Sequence, residues 1–262
     1  FMKTVAVGLS GGVDSAVSAL LLKQQGYNVT GVFLYCFDQK GIPCTADEDR
    51  KMAVKVADFL HISIKIIDLR SQYRRSVIDY FFSEYRAGRT PNPDVMCNKE
   101  IKFGLFYKQM IEKEKFDFIA TGHYARISTR HSGEEPKATT PESSRNRFWT
   151  SPSTPSSGPR GQNDDSLFLA KGLDDTKDQS YFLYLLTENQ LDHIMFPIGD
   201  YKKEQVRKIA KENKVPNWDR PDSQGICFVG EVNIRKFLST KFKIKKGAVL
   251  NSNGDIIGEH EG

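Results

Sequence analysis

Two short stretches hold residues whose types and spacing suit chemistry. The first is GLSGGVDSA, Gly8–Ala16, which follows the apolar run TVAVGL and opens a helix pattern. Paired glycines let a backbone approach an anion, and the coming helix offers free N–H groups with partial positive charge. Gly8, Leu9, Ser10, Gly11, Gly12, Val13, Asp14 and Ser15 therefore form a candidate phosphate loop. Ser10 and Ser15 add hydroxyl donors, and Asp14 is a hard oxygen ligand of the kind that suits Mg²⁺. The stretch lacks the lysine of GxxxxGK[ST], and it is not GxGxxG.

The second stretch is RTPNPDVMCNKEIKFG, residues 89–104. Four roles are open to its cysteine, Cys97: buried filler, disulfide half, metal ligand or nucleophile. Asp94 lies three residues before it and has the chemistry of a general acid or base. Lys99 and Lys102 lie in the first turns after it, and nearby positive charge lowers a thiol pKa. Cys227 lies in a similar loop, PDSQGICFVG. Cys36 and Cys44 lack an acidic neighbour like Asp94 and are expected on the nucleotide side of the sheet. The four cysteines are too irregularly spaced for a disulfide framework, and no CxxC pair suggests zinc.

The elements that must position these residues alternate. Strand-like runs cover Thr4–Leu9, Val29–Tyr35, Ile62–Asp68 and Phe116–Thr121. Helix-like runs fall between them, one opening with a Thr45/Glu48 capping box and others over about 71–87 and 99–114. This alternation predicts an α/β fold, a parallel sheet of about five strands with helices on both faces. Ligands of such sheets bind beyond the carboxyl ends of the strands, which brings Gly8–Ser15, the segment after Tyr35 and TGHYA (Thr121–Ala125) to one edge.

Residues 130–166 are rich in Ser, Thr, Pro, Gly and Asn and read as a disordered insertion. Ordered structure is expected to resume at LFLAKG, Leu167–Gly172. Helix-like runs are then expected around 179–186, 202–212 and 233–242, and finally two strands joined by an Asn-Gly turn. The predicted organisation is a nucleotide-binding domain over 2–129, the insertion, and a smaller mixed part over 167–262.

The chain carries a net charge of +5, with basic clusters at 202–214 and 235–246, either a nucleic-acid footprint or a solvated lysine-rich face. No apolar run is long enough to span a membrane. The start, FMKTVAVGLS, runs straight into a strand with no signal-peptide zones, so a reducing, cytoplasmic setting is expected.

SGGVDS resembles the PP-loop of ATP pyrophosphatases, which cleave ATP between the α- and β-phosphates. The resemblance implies that ATP, with Mg²⁺, is the cofactor, and that Leu34 and Gly122 hold the adenosine. A closer resemblance runs along nearly the whole chain. AGRTPNPDVMCNKEIKFG, ATGHYARI, KDQSYFLYLL, FPIGDYKKEQVRKIA and DSQGICFVGE are similar to the tRNA-specific 2-thiouridylase (MnmA) family. That resemblance implies ATP-dependent 2-thiolation of the wobble uridine of tRNA. Cys227 then receives a persulfide, Cys97 releases its sulfur, and Asp94 is the general acid/base. Asn92, Pro93 and Asp94 meet the target base, and His123, Lys177, Asp178 and Gln179 contact tRNA. The implied partners are tRNA and a sulfur donor, a cysteine desulfurase or sulfur-relay protein, with the enzyme a monomer. The resemblance also implies a C-terminal β-barrel, which is expected to be lacking from these 262 residues. The remaining alternatives are another PP-loop pyrophosphatase and a non-catalytic tRNA-binding fragment. Without tRNA the two thiols are expected apart or only loosely placed, with tRNA binding closing the gap.

Overall fold

The computed structural model describes residues 2–38, 45–130, 166–222, 225, 227–229, 234–243 and 245–260. Cys44 and nearly all of the predicted insertion fall outside these. β1 (Thr4–Gly8), β2 (Asn28–Tyr35), β3 (Ser63–Asp68), β4 (Phe118–Ala120) and β7 (Ile194–Met195) form one sheet in the order β3-β2-β1-β4-β7. All four pairings are parallel. Val5, Ala6 and Val7 of β1 have no exposed surface, as expected of a central strand covered on both faces.

The parallel sheet agrees with the alternation read from sequence. Its fifth strand, β7, is only two residues long, too short for a periodic signal, and the sequence reading did not locate it. Two core clusters lie against the sheet. One joins β1 and β2 to α1 (Val13–Gln24), α2 (Ala46–Phe59) and α6 (Lys203–Glu212). The other takes in α3 (residues 70–86), α4 (residues 93–113) and α7 (Ile234–Ser239). α3 and α4 run continuously but include wide π-type turns, over Arg74–Ile78 in the first and from Cys97 onward in the second.

Local chemistry explains several boundaries. α1 stops before Gly26, whose φ of 85° suits a residue without Cβ. α4 starts where Asn92 accepts a hydrogen bond from Val95 N at 3.1 Å, with Pro93 in the first turn. The expected Thr45/Glu48 capping box does not form. Thr45 Oγ1 donates to Asp49 Oδ2 at 2.8 Å, one turn on, and makes no cap bond to the backbone.

The helix expected at 179–186 shrinks to a 3-10 turn, Ser180–Phe182. Asp178 captures the N–H and hydroxyl of Ser180, and Gln179 binds the Tyr124 backbone. β5 (Ala125–Arg130) and β6 (Ser166–Lys171) pair antiparallel, α5 (Glu188–Leu191) leads into β7, and β8 (Gly247–Leu250) and β9 (Ile256–His260) make the terminal hairpin.

Candidate active site

The strand order reverses direction between β1 and β4, and the phosphate loop lies at this switch point. Leu9 N still donates to Val32 O at 2.8 Å, after which the chain turns away from the sheet. Gly11 has φ 81°, and a Cβ there would meet Asp49 O at 2.6 Å. Ser10 and Ser15 tie the loop to itself: Ser10 N donates to Ser15 Oγ at 3.2 Å, and Ser15 Oγ donates to Gly12 O at 3.0 Å. Gly12 caps α1 with no side-chain bond. The first-turn N–H groups thus have no intrahelical partner, an arrangement that suits phosphate oxygens. On the other side, Asn217 and Arg220 donate to Gly11 O at 2.8 and 3.1 Å.

Asp14 is held from within the protein. Lys203 Nζ lies 2.8 and 2.9 Å from its two oxygens, and Tyr124 donates its hydroxyl at 2.9 Å. Lys203 also meets Asp222 at 2.7 Å, and Asp222 further pairs with Arg207 and Lys177. Burial alone would raise the Asp222 carboxyl. Its bond with Lys203, helped by Lys177 and Arg207, outweighs that and holds it low. Burial, then the Asp14 charge, pushes the Tyr124 phenol up. Both Asp14 oxygens are engaged, and no cluster of three or more metal-ligating side chains exists among the described residues. The loop therefore fits the phosphates of ATP, whereas Asp14 as it stands does not fit a protein-held Mg²⁺.

The thiols lie on the face that carries α4. Cys97 is fully buried one turn into that helix. Its Sγ is 3.6 Å from the Sγ of Cys227, 130 positions later, and both cysteines are free. The expectation of separated thiols is therefore corrected. Cys227 is anchored through its backbone, its N–H donating to Asp94 Oδ1 at 2.9 Å and its carbonyl accepting from the Tyr73 hydroxyl. Cys97 burial pushes its thiol well up. Cys227 is pulled down to about 7, first by the hydrogen bond from Cys97 and then, against its own burial, by Lys102. Of the pair, Cys227 is the thiol that ionises more readily. Cys36, expected on the nucleotide side, instead packs in the same core cluster as Cys97, and burial pushes its thiol up.

Three consecutive residues after β4 join the two centres. A Cβ on Gly122 would lie 2.8 Å from Ser15 N, so this residue abuts the phosphate loop. Next to it, His123 is buried at 7% exposure, packed against Phe103 and Phe196. Its Nδ1 is 2.7 Å from Thr121 Oγ1 and its Nε2 is 3.3 Å from Lys102 Nζ.

Of the residues assigned to tRNA by resemblance, Asn92 is exposed and Pro93 half-buried. Lys177, Asp178 and Gln179 bind Asp222, the Gly172 amide and the Tyr124 amide respectively. Leu34 is buried, its side chain in the cluster that holds Cys97. Sequence reasoning missed Tyr73, Tyr124, Lys203, Asn217, Arg220 and Asp222. All act through partners distant in sequence, and no spacing signal marks them.

The family model described as tRNA methyl transferase HUP domain matches residues 3–231. The chain is 44% identical, over 99% of its length, to the tRNA-specific 2-thiouridylase MnmA of Francisella tularensis subsp. novicida. It is likewise 44% identical to that of Francisella philomiragia subsp. philomiragia, over 98% of its length. It spans 64% and 63% of these relatives. A 4-thiouridine synthetase, solved as an RNA complex with bound ATP, shares the fold with a TM-score of 0.51 at 12% identity, over 91% of this chain and 50% of that one. A parallel five-stranded sheet with a Ser-Gly-Gly-x-Asp-Ser loop at its switch point, matched across residues 3–231, places the chain in the tRNA methyl transferase HUP domain family.

Proposed function

We propose that this chain carries the catalytic part of a tRNA-uridine 2-sulfurtransferase, acting on the wobble uridine with ATP as co-substrate. The observation that carries this reading is the Cys97–Cys227 pair, 3.6 Å apart, in a molecule whose Gly122 abuts the phosphate loop and whose next residue, His123, meets Lys102 of the helix that bears Cys97. The name borne by the 44%-identical relatives supports the same reading.

The uridine C2 carbonyl is a poor electrophile with a poor leaving group. Attack of uridine O2 on the α-phosphate of ATP expels pyrophosphate and makes an adenylate. Gly8–Ser15 cradle the phosphates, with Leu34 and Gly122 beside the adenosine and Mg²⁺ arriving with the nucleotide. The terminal sulfur of a Cys227 persulfide then attacks C2, and AMP leaves with the oxygen. Cys97 thiolate attacks the inner sulfur of Cys227, the S–S bond to the transferred sulfur breaks, and 2-thiouridine leaves as a Cys97–Cys227 disulfide forms. An external thiol reductant reopens it. Asp94 exchanges the proton with the base or the sulfur.

The target base must leave its stack, which costs a few kcal/mol and least in a loop. Asn92 and Pro93 flank the thiols at the start of α4, suited to meet that base. Lys177, Asp178 and Gln179 border the same edge on the tRNA side, whereas His123, buried against Phe103 and Phe196, acts from inside the protein. A working thiol pair needs a reducing compartment, so the cytoplasm is the proposed location. No described helix is long and apolar enough to cross a membrane. A cysteine desulfurase or sulfur-relay protein charges Cys227, and the enzyme acts as a monomer. Residues 2–129 form the nucleotide-binding domain, 130–166 an insertion, and 167–262 the remainder of the catalytic part with a tRNA-binding region.

The test is mass spectrometry of unmodified tRNA after incubation with ATP, Mg²⁺ and a persulfide source. The expected product is one sulfur-for-oxygen exchange at the wobble uridine, absent with Cys97→Ser or Cys227→Ser, while both variants still release pyrophosphate. Normal thiolation by Cys227→Ser would sink the two-cysteine mechanism.

A further inference from the structure

Lys102 lies at the end of a chain of contacts that the reaction above does not use. A charged ammonium has donors and no acceptor, so at 3.3 Å from Lys102 Nζ, His123 Nε2 must be the acceptor. The His123 proton is then on Nδ1 and is donated to Thr121 Oγ1 at 2.7 Å. Burial, then the Lys102 charge, holds the imidazole well below its usual pKa, which keeps it neutral as this bonding requires. Lys102 itself stays charged. Burial opposes its charge, but attraction to Cys227 outweighs this and raises its pKa. Its Nζ also lies 5.8 Å from the centre of the Phe228 ring, next to Cys227.

We propose that Lys102, aimed by the neutral His123, is the cation that keeps the transferring sulfur anionic at Cys227. It rests on the thiolation reading and extends it to the sulfur-loading half-reaction. There the Cys227 thiolate attacks the terminal sulfur of a donor persulfide. A new S–S bond forms on Cys227, the donor's S–S bond breaks, and the donor leaves as a thiolate. Sulfur changes hands with no net oxidation: the attacking and leaving sulfurs are thiolates, and the transferred sulfur keeps its proton until the new persulfide ionises.

The Cys97 hydrogen bond cannot serve throughout, because Cys97 must lose its proton when it attacks in turn. Lys102 keeps its donors through every step. The other titratable groups facing Cys227 are Asp94, Tyr73, Cys36 and Cys97, and none of them carries positive charge. The assignment also gives His123 a positioning role inside the protein, which fits its burial.

Iodoacetamide alkylation of Cys227, followed across pH by peptide mass spectrometry, tests this without tRNA, ATP or a sulfur donor. Its failure is therefore separable from failure of the thiolation reading. Cys227 is half-buried and Cys97 fully buried, so the readout belongs to Cys227. The native midpoint should lie near 7. Lys102→Met should raise it by about one unit, a tenfold loss of thiolate below both midpoints. Lys102→Arg should hold it within about half of that shift, and His123→Ala should give an intermediate value, because the charge remains but loses its anchor. A native midpoint near the ordinary thiol value of about 8.5 overturns the proposal even if Lys102→Met fails to fold. So does an unmoved midpoint in Lys102→Met, or equal shifts in the Met and Arg variants.

Discussion

Asp94 is asked to do two things, and its geometry lets them be separated. Its Oδ1 accepts the Cys227 N–H at 2.9 Å, which fixes the loop that presents the thiol. Its second oxygen is the one the proposed mechanism uses to exchange a proton. Asp94→Asn keeps an amide oxygen at the accepting position and removes the acid/base function. We expect this variant to keep the Cys227 alkylation profile near native while thiolation is lost. Asp94→Ala leaves the Cys227 amide without its acceptor, a cost of about 1–3 kcal/mol for a buried donor. It should therefore lose thiolation and also broaden or shift the alkylation profile. Equal thiolation by Asn and native protein would reduce Asp94 to an anchor. Asp94, Cys97 and Cys227 were legible because their Pro, Asn and Gly neighbours in the sequence announce them, although Asp94 and Cys97 lie in the first turns of α4. Lys203 was not, because its sequence setting, KKEQVRKIA, reads as a solvated basic helix face. Its partner Asp14 lies 189 positions away.

At the scale of elements, the segment after β4 does more than end a strand. Thr121, Gly122 and His123 hold the phosphate loop on one side and the sulfur centre on the other. Gly122 is the tightest point: a Cβ would sit 2.8 Å from Ser15 N and 2.9 Å from the carbonyl carbon of Asp14, both backbone atoms that cannot swing aside. Gly122→Ala should push the end of β4 away from α1. Pyrophosphate release should fall by an order of magnitude or more, with a melting temperature several degrees lower, about the effect of 1–3 kcal/mol of overpacking. Gly258→Ala, in β9 with nothing within 4 Å of the added carbon, serves as the neutral control. Release unchanged in Gly122→Ala would remove this contact from the mechanism. The four longer strands of the sheet could be read from apolar runs between helix patterns. β7 could not, since two residues carry no period and its pairing with β4 depends on the chain returning after a long excursion. The lost helix at 179–186 has a similar cause: helical spacing of apolar residues was present, but Asp178 and Gln179 satisfy backbone groups elsewhere.

At the scale of the whole molecule, a charge network ties the later part of the chain to the phosphate loop. Lys203 on α6 bridges Asp14 of α1 and Asp222, and Asp222 gathers Arg207 and Lys177. α6 is also apolar on its inner side, with Val206 and Ala210 in the same core cluster as Val5 and Val17. Packing supplies the adhesion, and the ions set the register in which α6 faces the loop. The Lys203 side chain is only 11% exposed, and removing its charge takes away the cation between Asp14 and Asp222, leaving Asp222 with Arg207 and Lys177 and Asp14 with the Tyr124 hydroxyl. Lys203→Met should cost about 2 kcal/mol. It should also free Asp14, so that pyrophosphate release falls and its demand for Mg²⁺ rises. Asp222→Asn should matter less, because Lys203 retains Asp14. In a double-mutant cycle the two changes should couple by roughly 0.5–3 kcal/mol, since both act on one contact. Measured by chemical denaturation alongside pyrophosphate release, additive effects would mean that α6 is held by its apolar face alone and that the loop does not depend on it.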